Sequence, residues 1–383
     1  MKLGDILALQ RGTTYKGSLL GHAGPVLLGL ASIKPNGGFR DDSLKTYGGE
    51  SPEKLILRPG DLYVSLKDVT QSADLLGAVA RVPEKILEGR LTQDTVKLIF
   101  KDGTIPQAYI YWLLRAPEYR EYCRMRATGT TNLGLSRDDF FEFPIPDPTK
   151  YRLELIDMLE YVEKKIELDR RINTTLEIMA RSLFRQWFVD SQEVGNWGIG
   201  AVFDDFDLTM GQSPPGETYN ENGEGIPFFQ GRTDFEIRFP SNRVYCTAPT
   251  RFANPGDTLV CVRAPVGDLN MASEKCAIGR GVAAIRHKTG SRSYTYYTMQ
   301  SLEENFKQFE GEGTVFGSIN KTDFQNLKVA IPPSATVEKF EEICYPIDQM
   351  IENNEKESRT LGSLRDSLLP KLMRGEVRVK DES

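Results

Sequence analysis

The sequence is short of the residues that hold metals and of the runs that enter membranes. Its 383 residues include two histidines and five cysteines, Cys123, Cys246, Cys261, Cys276 and Cys344, which are widely spaced and form no Cys-x-x-Cys pair. An odd, scattered set of this kind argues against a disulfide framework and against the usual zinc spacings, and it predicts reduced thiols in the core with no metal site. No apolar run approaches the roughly 18 residues that span a bilayer, and the opening MKLGDILALQRGTTY lacks the apolar core of a signal peptide. The expectation is a cytoplasmic protein with no membrane partner. Positive charge is also not in excess. Lys and Arg number 48 against 54 Asp and Glu, a net charge of -6, so bulk charge alone does not point to a nucleic-acid partner.

The composition that remains, 39% hydrophobic and 27% charged, is that of an ordinary folded protein. The length exceeds what one core normally serves, so two or three domains are expected. Charge is segregated along the chain. Residues 191–230 carry seven acids and no Lys or Arg, whereas residues 231–292 carry ten Lys and Arg against five acids.

An internal repeat organises the sequence. RPGDLYVSLK at 58–67 resembles NPGDTLVCVR at 254–263, each a Pro-Gly-Asp turn followed by an apolar strand that ends in a base. TGTTNLGLSRDDF at 128–140 parallels EGTVFGSINKTDF at 312–324, and each run leaves through prolines, FPIPDP or AIPPS. Two heptad seams follow in the same order. The first is Leu155, Leu159, Val162, Ile166, Asp169, Asn173, Leu176, Ala180, Leu183 and Trp187. The second lies 185 residues later, running from Phe340 to Leu372, and both turn polar at the same layers, Asp169 and Asn173 in one and Asn354 and Ser358 in the other. Antiparallel pairing sets Asn173 against Asn354 and Asp169 against Ser358. Pro346 lies within the second seam and predicts a break or restart of that helix.

The fold expected is α+β: two globular units separated by two long helices packed as an antiparallel coiled coil, with pseudo-twofold symmetry. The boundaries expected are 1–148 and 191–333 for the globular units and 149–190 and 334–383 for the helical spacers.

KKIELDRRINTTLEIMARSLFRQWFVD, GQSPPGETYNENGEGIPFFQGRTDF and LRDSLLPKLMRGEVRV together resemble the DNA specificity subunit of type I restriction-modification systems, over nearly the whole chain and in that family's order. The resemblance implies two target-recognition domains and a subunit without catalysis of its own. Such a subunit reads a bipartite double-stranded DNA site and recruits two adenine methyltransferase subunits and the helicase-nuclease subunits of restriction. No cofactor is expected. The other class of reading is a coiled-coil scaffold with no nucleic-acid role, and the duplicated basic loops favour the first.

Sequence is read by Arg, Lys, Asn and Gln on base edges, while hydroxyls and backbone amides hold phosphates. The candidates after the Pro-Gly-Asp strands are Lys67, Gln71 and Ser72 in the first unit and Arg263 in the second. The glycine- and hydroxyl-rich runs add Thr130, Thr131 and Asn132, with Thr314, Ser318 and Asn320 in the copy. FFQGRTDF adds Gln230 and Arg232. The helix tips RQWF and LLPKL supply Trp187, Phe188, Leu369 and Leu372 as candidate contacts to the methyltransferase subunits, the alternative being that Trp187 packs only on its own domain. Two catalytic patterns fail on context. FEGEG at 309–313 has the form of a cofactor loop but follows a helical stretch, and no Asn- or Asp-Pro-Pro-aromatic tetrad accompanies it. Asp147 with Glu163 and Lys165 mimics a nuclease motif, but its second half lies inside the heptad helix.

Overall fold

The computed structural model describes residues 1–130, 132–311 and 317–374, with side chains to Lys371. It divides into two compact units. One is Met1–Lys165 with the chain from Leu361 onward, and the other is Ile166–Thr360. Each unit therefore holds an α+β body and its own stretch of both long helices, Lys150–Phe188 and Ser334–Arg374.

The two bodies are built alike. In the first, a four-stranded antiparallel sheet runs in the order Leu7–Arg11, Thr95–Phe100, Leu62–Ser65, Val79–Arg81, and in the second the order is Phe206–Met210, Val282–His287, Thr258–Cys261, Leu269–Met271. The third strand of each sheet shows why its sequence is a continuous apolar run. Leu62 and Val64 face the core shared with the helices, while Tyr63 faces a smaller cluster with Leu28 and Leu57. Val260 likewise faces the helical core, and Leu259 and Cys261 face a cluster with Phe229 and Ile278. A strand covered on both sides loses the polar half of its alternation. Each of these strands is launched by the same turn. Asp61 N donates to Arg58 O and Asp257 N to Asn254 O, both at 3.0 Å, with the proline second and the glycine third, at φ 88° and 83°. That is the geometry in which a glycine is needed and proline is preset. The Asp side chain then closes the turn from the other side, accepting from Arg58 N at 2.7 Å and from Asn254 N at 2.6 Å.

The seam forms within each unit. In the second, Asn354 Nδ2 donates to Asn173 Oδ1 at 2.7 Å and Asn173 Nδ2 donates to the Ile351 carbonyl at 3.2 Å. Phe184, eleven residues after Asn173, meets Phe340, fourteen before Asn354, at 5.8 Å between ring centres. The pairing is antiparallel, with the register expected from the polar layers. In the first unit Leu155 and Leu159 share a core with Leu369, and Glu163 accepts from Arg365 Nη1 at 2.7 Å.

Pro346 departs from expectation, because Ser334–Arg374 continues through it unbroken. Proline removes the hydrogen bond to the carbonyl four residues earlier, that of Glu342. Both residues lie on the exposed face of the helix, where water can take that carbonyl.

Ion pairs join each body to its helices. Arg81 forms two bonds of 2.7 Å with Glu160, which also accepts from Trp112 Nε1 at 2.6 Å. Burial pushes the Glu160 carboxyl up, but Arg81 outweighs it and leaves the group below its ordinary value. In the second unit Arg238, 1% exposed, places Nη1 2.9 Å from Glu177 and Nη2 2.5 Å from a fully buried Asp348, with its guanidinium 3.4 Å over the Tyr296 ring. Burial opposes the charge on Arg238. Asp348, Tyr296, Tyr297 and Glu177 overcome it and hold the guanidinium protonated.

Candidate nucleic-acid interface

In the first unit the strand Leu62–Ser65 leads directly to Lys67–Asp68, which pairs antiparallel with Leu133–Gly134, Lys67 opposite Gly134. The two runs singled out in the sequence are thus neighbours. The second is a hairpin, closed by Thr128 N to Gly134 O at 2.9 Å and Gly134 N to Thr128 O at 2.8 Å. Gly129 turns it at φ 101°, where a Cβ would collide with the Asn132 carbonyl. Thr130 and Asn132 are exposed on the hairpin, and Thr131 lies outside the described residues.

The loop after Asp68 is held from two sides. The buried Asp68 carboxylate accepts from Thr70 N at 2.6 Å, Thr70 Oγ1 at 2.7 Å and Leu75 N at 2.6 Å. Arg120, only 2% exposed, donates to the carbonyls of Leu76 at 2.7 Å, Ala73 at 3.2 Å and Asp74 at 2.8 Å. An anion gathers the loop's N–H groups and a cation its carbonyls, which leaves Gln71 and Ser72 outside on a fixed support. Lys67 lies beside them, 3.2 Å from Asp94. Replacing Asp68 with Ala leaves two part-buried N–H donors, those of Thr70 and Leu75, without their acceptor and is expected to destabilise the first unit by about 1 to 3 kcal/mol. Amides of residues 69–76 should exchange hydrogen faster by roughly tenfold or more. Asp68→Asn, which still accepts, should lie between. Unchanged exchange in the Ala variant would show that Arg120 alone fixes the loop.

The second unit repeats the arrangement with different chemistry. Arg263 bridges Ser318, Ala264 N donates to Gly317 O at 3.0 Å, and Ile319 N donates to Val262 O at 3.0 Å. Ala264 stands where Asp68 stands in the first unit, so the carboxylate clamp is not repeated. Asn320 caps the helix Lys321–Asn326 by accepting from Asp323 N at 2.9 Å, as Ser136 caps Arg137–Glu142 by accepting from Asp139 N at 3.0 Å. Its side chain therefore has a structural use. Thr314 lies outside the described residues, as do the last two residues of FEGEG.

Arg263 also lines a concave pocket of about 390 Å³ with Ser213, Gln230, Arg232, Arg243 and Arg280. Two of the four arginines are tied down. Arg232 Nε is 2.6 Å from Asp268, and Arg243 Nη2 is 3.0 Å from the buried Asp234. Arg263 and Arg280 are exposed, with no carboxylate in ion-pair range among the described residues. The sequence reading found Arg232, Gln230 and Arg263 but passed over Arg243 and Arg280. The signal available for Arg280 was its place between two glycines inside the basic segment.

The helix tips lie within their own units. Phe188, 7% exposed, packs at 5.0 Å from Phe184 and from Tyr294 and 5.2 Å from Phe340, with half-buried Trp187 6.2 Å from Phe340. Leu369 is in the core of the first unit, and the side chain of Leu372 lies outside those described. All five cysteines are free and buried, and burial pushes the Cys261, Cys276 and Cys344 thiols up to about 12. Among the described residues, no three His, Cys, Asp or Glu gather as a metal site, and no helix is long and apolar enough to cross a membrane.

A duplicated frame that twice pairs a strand-end base with the residue that opens the next segment, Lys67 with Gly134 and Arg263 with Ser318, has a known counterpart. Residues 206–361 match the family model of the type I restriction modification DNA specificity domain. Across its length the chain is similar to the putative type I restriction enzyme MjaX specificity subunit of Methanocaldococcus jannaschii, 27% identical over 353 residues that cover 86% of this chain and 81% of that one. It is also similar to the type I restriction enzyme MjaIX specificity subunit of the same organism, at 25% over 317 residues, 74% and 72% of the two chains. The fold is that of the type I restriction-modification system S subunit of M. genitalium, whose crystal structure matches 99% of this chain and 96% of its own at a TM-score of 0.65 and 15% identity. The chain is thus similar to type I restriction-modification specificity subunits, and its residues 206–361 match the DNA specificity domain of that family.

Proposed function

We propose that the chain is the sequence-reading, non-catalytic subunit of a type I restriction-modification complex. It binds a bipartite double-stranded DNA site, one half-site per body, with recognition domains at 1–148 and 191–333 and helical spacers at 149–190 and 334–383. The observation that carries this reading is the recurrence of one loop pairing in both units, Lys67 against Gly134 and Arg263 against Ser318. A scaffold has no use for two copies of a paired basic strand end, whereas a reader of two half-sites needs both. Its partners are two methyltransferase subunits and the helicase-nuclease subunits. Apolar side chains outside the seam support a protein partner on the long helices: Tyr161 is 74% exposed and Ile178, Met179 and Met350 are 50% exposed.

The test is a binding titration of the assembled complex on half-site variants. Arg263→Ala should weaken binding by about 1 to 3 kcal/mol through the half-site read by the second unit alone, and Lys67→Ala through the other alone. A base contact affects one position, whereas a phosphate contact weakens all sequences alike and lowers the salt slope by about 1. Equal losses on both half-sites from either variant contradict the one-body, one-half-site reading.

A further inference from the structure

The two sheets share more than the loops already described. In the first unit the strands Gly89–Leu91 and Thr95–Phe100 are joined by residues 92–94, and in the second Cys276–Ile278 and Val282–His287 are joined by residues 279–281. Both connections have three residues, and both close with the same turn. Thr95 N donates to Thr92 O at 3.2 Å, and Val282 N donates to Gly279 O at 2.9 Å. The edge strand presses on each in the same way. Gly12 N donates to Thr95 O at 3.1 Å and Gly211 N to Val282 O at 2.9 Å, and a Cβ on Gly12 or Gly211 would collide with the carbonyl of Thr92 or Gly279. Across the connections and the two strands they join the equivalence is residue by residue, at an offset of 187, while the edge strands correspond at an offset of 199. The middle residue of one connection is Gln93 and of the other Arg280.

Both side chains are exposed, and neither makes a hydrogen bond or ion pair to a described residue. Each lies beside the base of its own unit. Lys67 reaches Asp94, next to Gln93, and Arg263 shares the pocket with Arg280. The backbone beneath is fixed, since Arg280 N donates to Ser213 Oγ at 3.3 Å, Gly279 N to Phe229 O at 2.8 Å and Val262 N to Gly281 O at 2.9 Å. A long side chain with free donors on a rigid turn suits base reading, because the support need not be ordered on binding. The two side chains differ in the edge they match. Guanidinium donates twice to guanine O6 and N7, whereas a glutamine amide accepts from adenine N6 and donates to its N7.

Resting on the DNA-reading proposal, we infer that Gln93 and Arg280 are paired specificity-determining residues, Gln93 reading an adenine in one half-site and Arg280 a guanine in the other. The test exchanges them in the full chain assembled with its methyltransferase subunits, with a map of the methylated sites and titration on half-site variants. Arg280→Gln should lower preference for one G·C pair roughly ten- to a hundredfold, toward A·T, in the half-site of the second unit. Gln93→Arg should do the reverse in the other half-site. The untouched half-site reports that fold and assembly survive, and Arg280→Ala, which relaxes the position without a new preference, serves if the Gln variant does not assemble. Unaltered preference at every position overturns the inference. So does a uniform weakening of all sequences that Arg280→Lys restores, since that identifies a phosphate contact. If the wild-type complex shows no sequence preference at all, the DNA-reading proposal itself fails, a result distinct from either.

Discussion

Arg238→Ala is expected to destabilise the second unit by about 3 to 5 kcal/mol, because it leaves Asp348 charged and buried with no compensating cation. Asp348 has no exposed surface, whereas the Glu177 side chain retains 25% and can turn toward water, so the loss falls mainly on Asp348. The tyrosine ring under the guanidinium loses its partner as well. Replacing both charges together with apolar residues, Arg238→Met with Asp348→Leu, should recover most of the loss, since the penalty comes from a stranded ion rather than from a missing attraction. Hydrogen exchange followed through a urea titration reads the two units separately, and the first serves as reference. A loss under about 1 kcal/mol for Arg238→Ala, or a double variant no better than the single, would refute the account.

That arginine also shows where reading the sequence reached its limit. The ten Lys and Arg of residues 231–292 suggested a basic surface, but Arg238 is internal and Arg286 is paired with Asp257 at 2.5 Å. A local count registers charge but not the direction in which a side chain points. The features set by periodicity were legible: the seam with its Asn173–Asn354 layer, the strands after each Pro-Gly-Asp turn, and the duplication itself. The features set by tertiary convergence were not. Asp68 and Arg120 act on one loop from 52 positions apart, and nothing local to either announces the other. Gln93 and Arg280 stayed hidden because loops of unequal length change the repeat offset along the chain. The break expected at Pro346 failed for a related reason, since whether a helix tolerates proline depends on which face carries the freed carbonyl.

The second large effect concerns DNA spacing. Inserting four residues between Lys165 and Ile166 and four between Thr360 and Leu361 adds about 6 Å to each long helix at about 1.5 Å per residue. Four residues turn a helix by about 400°, so the seam returns to within roughly 40° of its former face and the pairing can continue. At about 3.4 Å per base pair the added length equals one or two base pairs. If the helices set the distance between half-sites, the methylated-site map of the variant shows the same two half-sites with a longer gap, and the original sites lose their methylation. An unchanged gap would show that something other than the helices sets the spacing.

The Asn173–Asn354 layer has a consequence during synthesis of the chain. Its two members are 181 residues apart. At about 5 to 20 residues per second, the ribosome delivers the second roughly 10 to 35 seconds after the first. For that interval Leu155, Leu159, Ile166 and Ala180 have no partner helix, and an apolar stripe of that length can pair with any similar stripe it meets, including that of a neighbouring nascent copy. A buried amide discourages such a mismatch, because Asn173 set against an aliphatic side chain loses its hydrogen bonds. The polar layer that aligns the finished helices thus also guards the waiting one, and chains that lack it should go astray in the cell before they show any defect once folded.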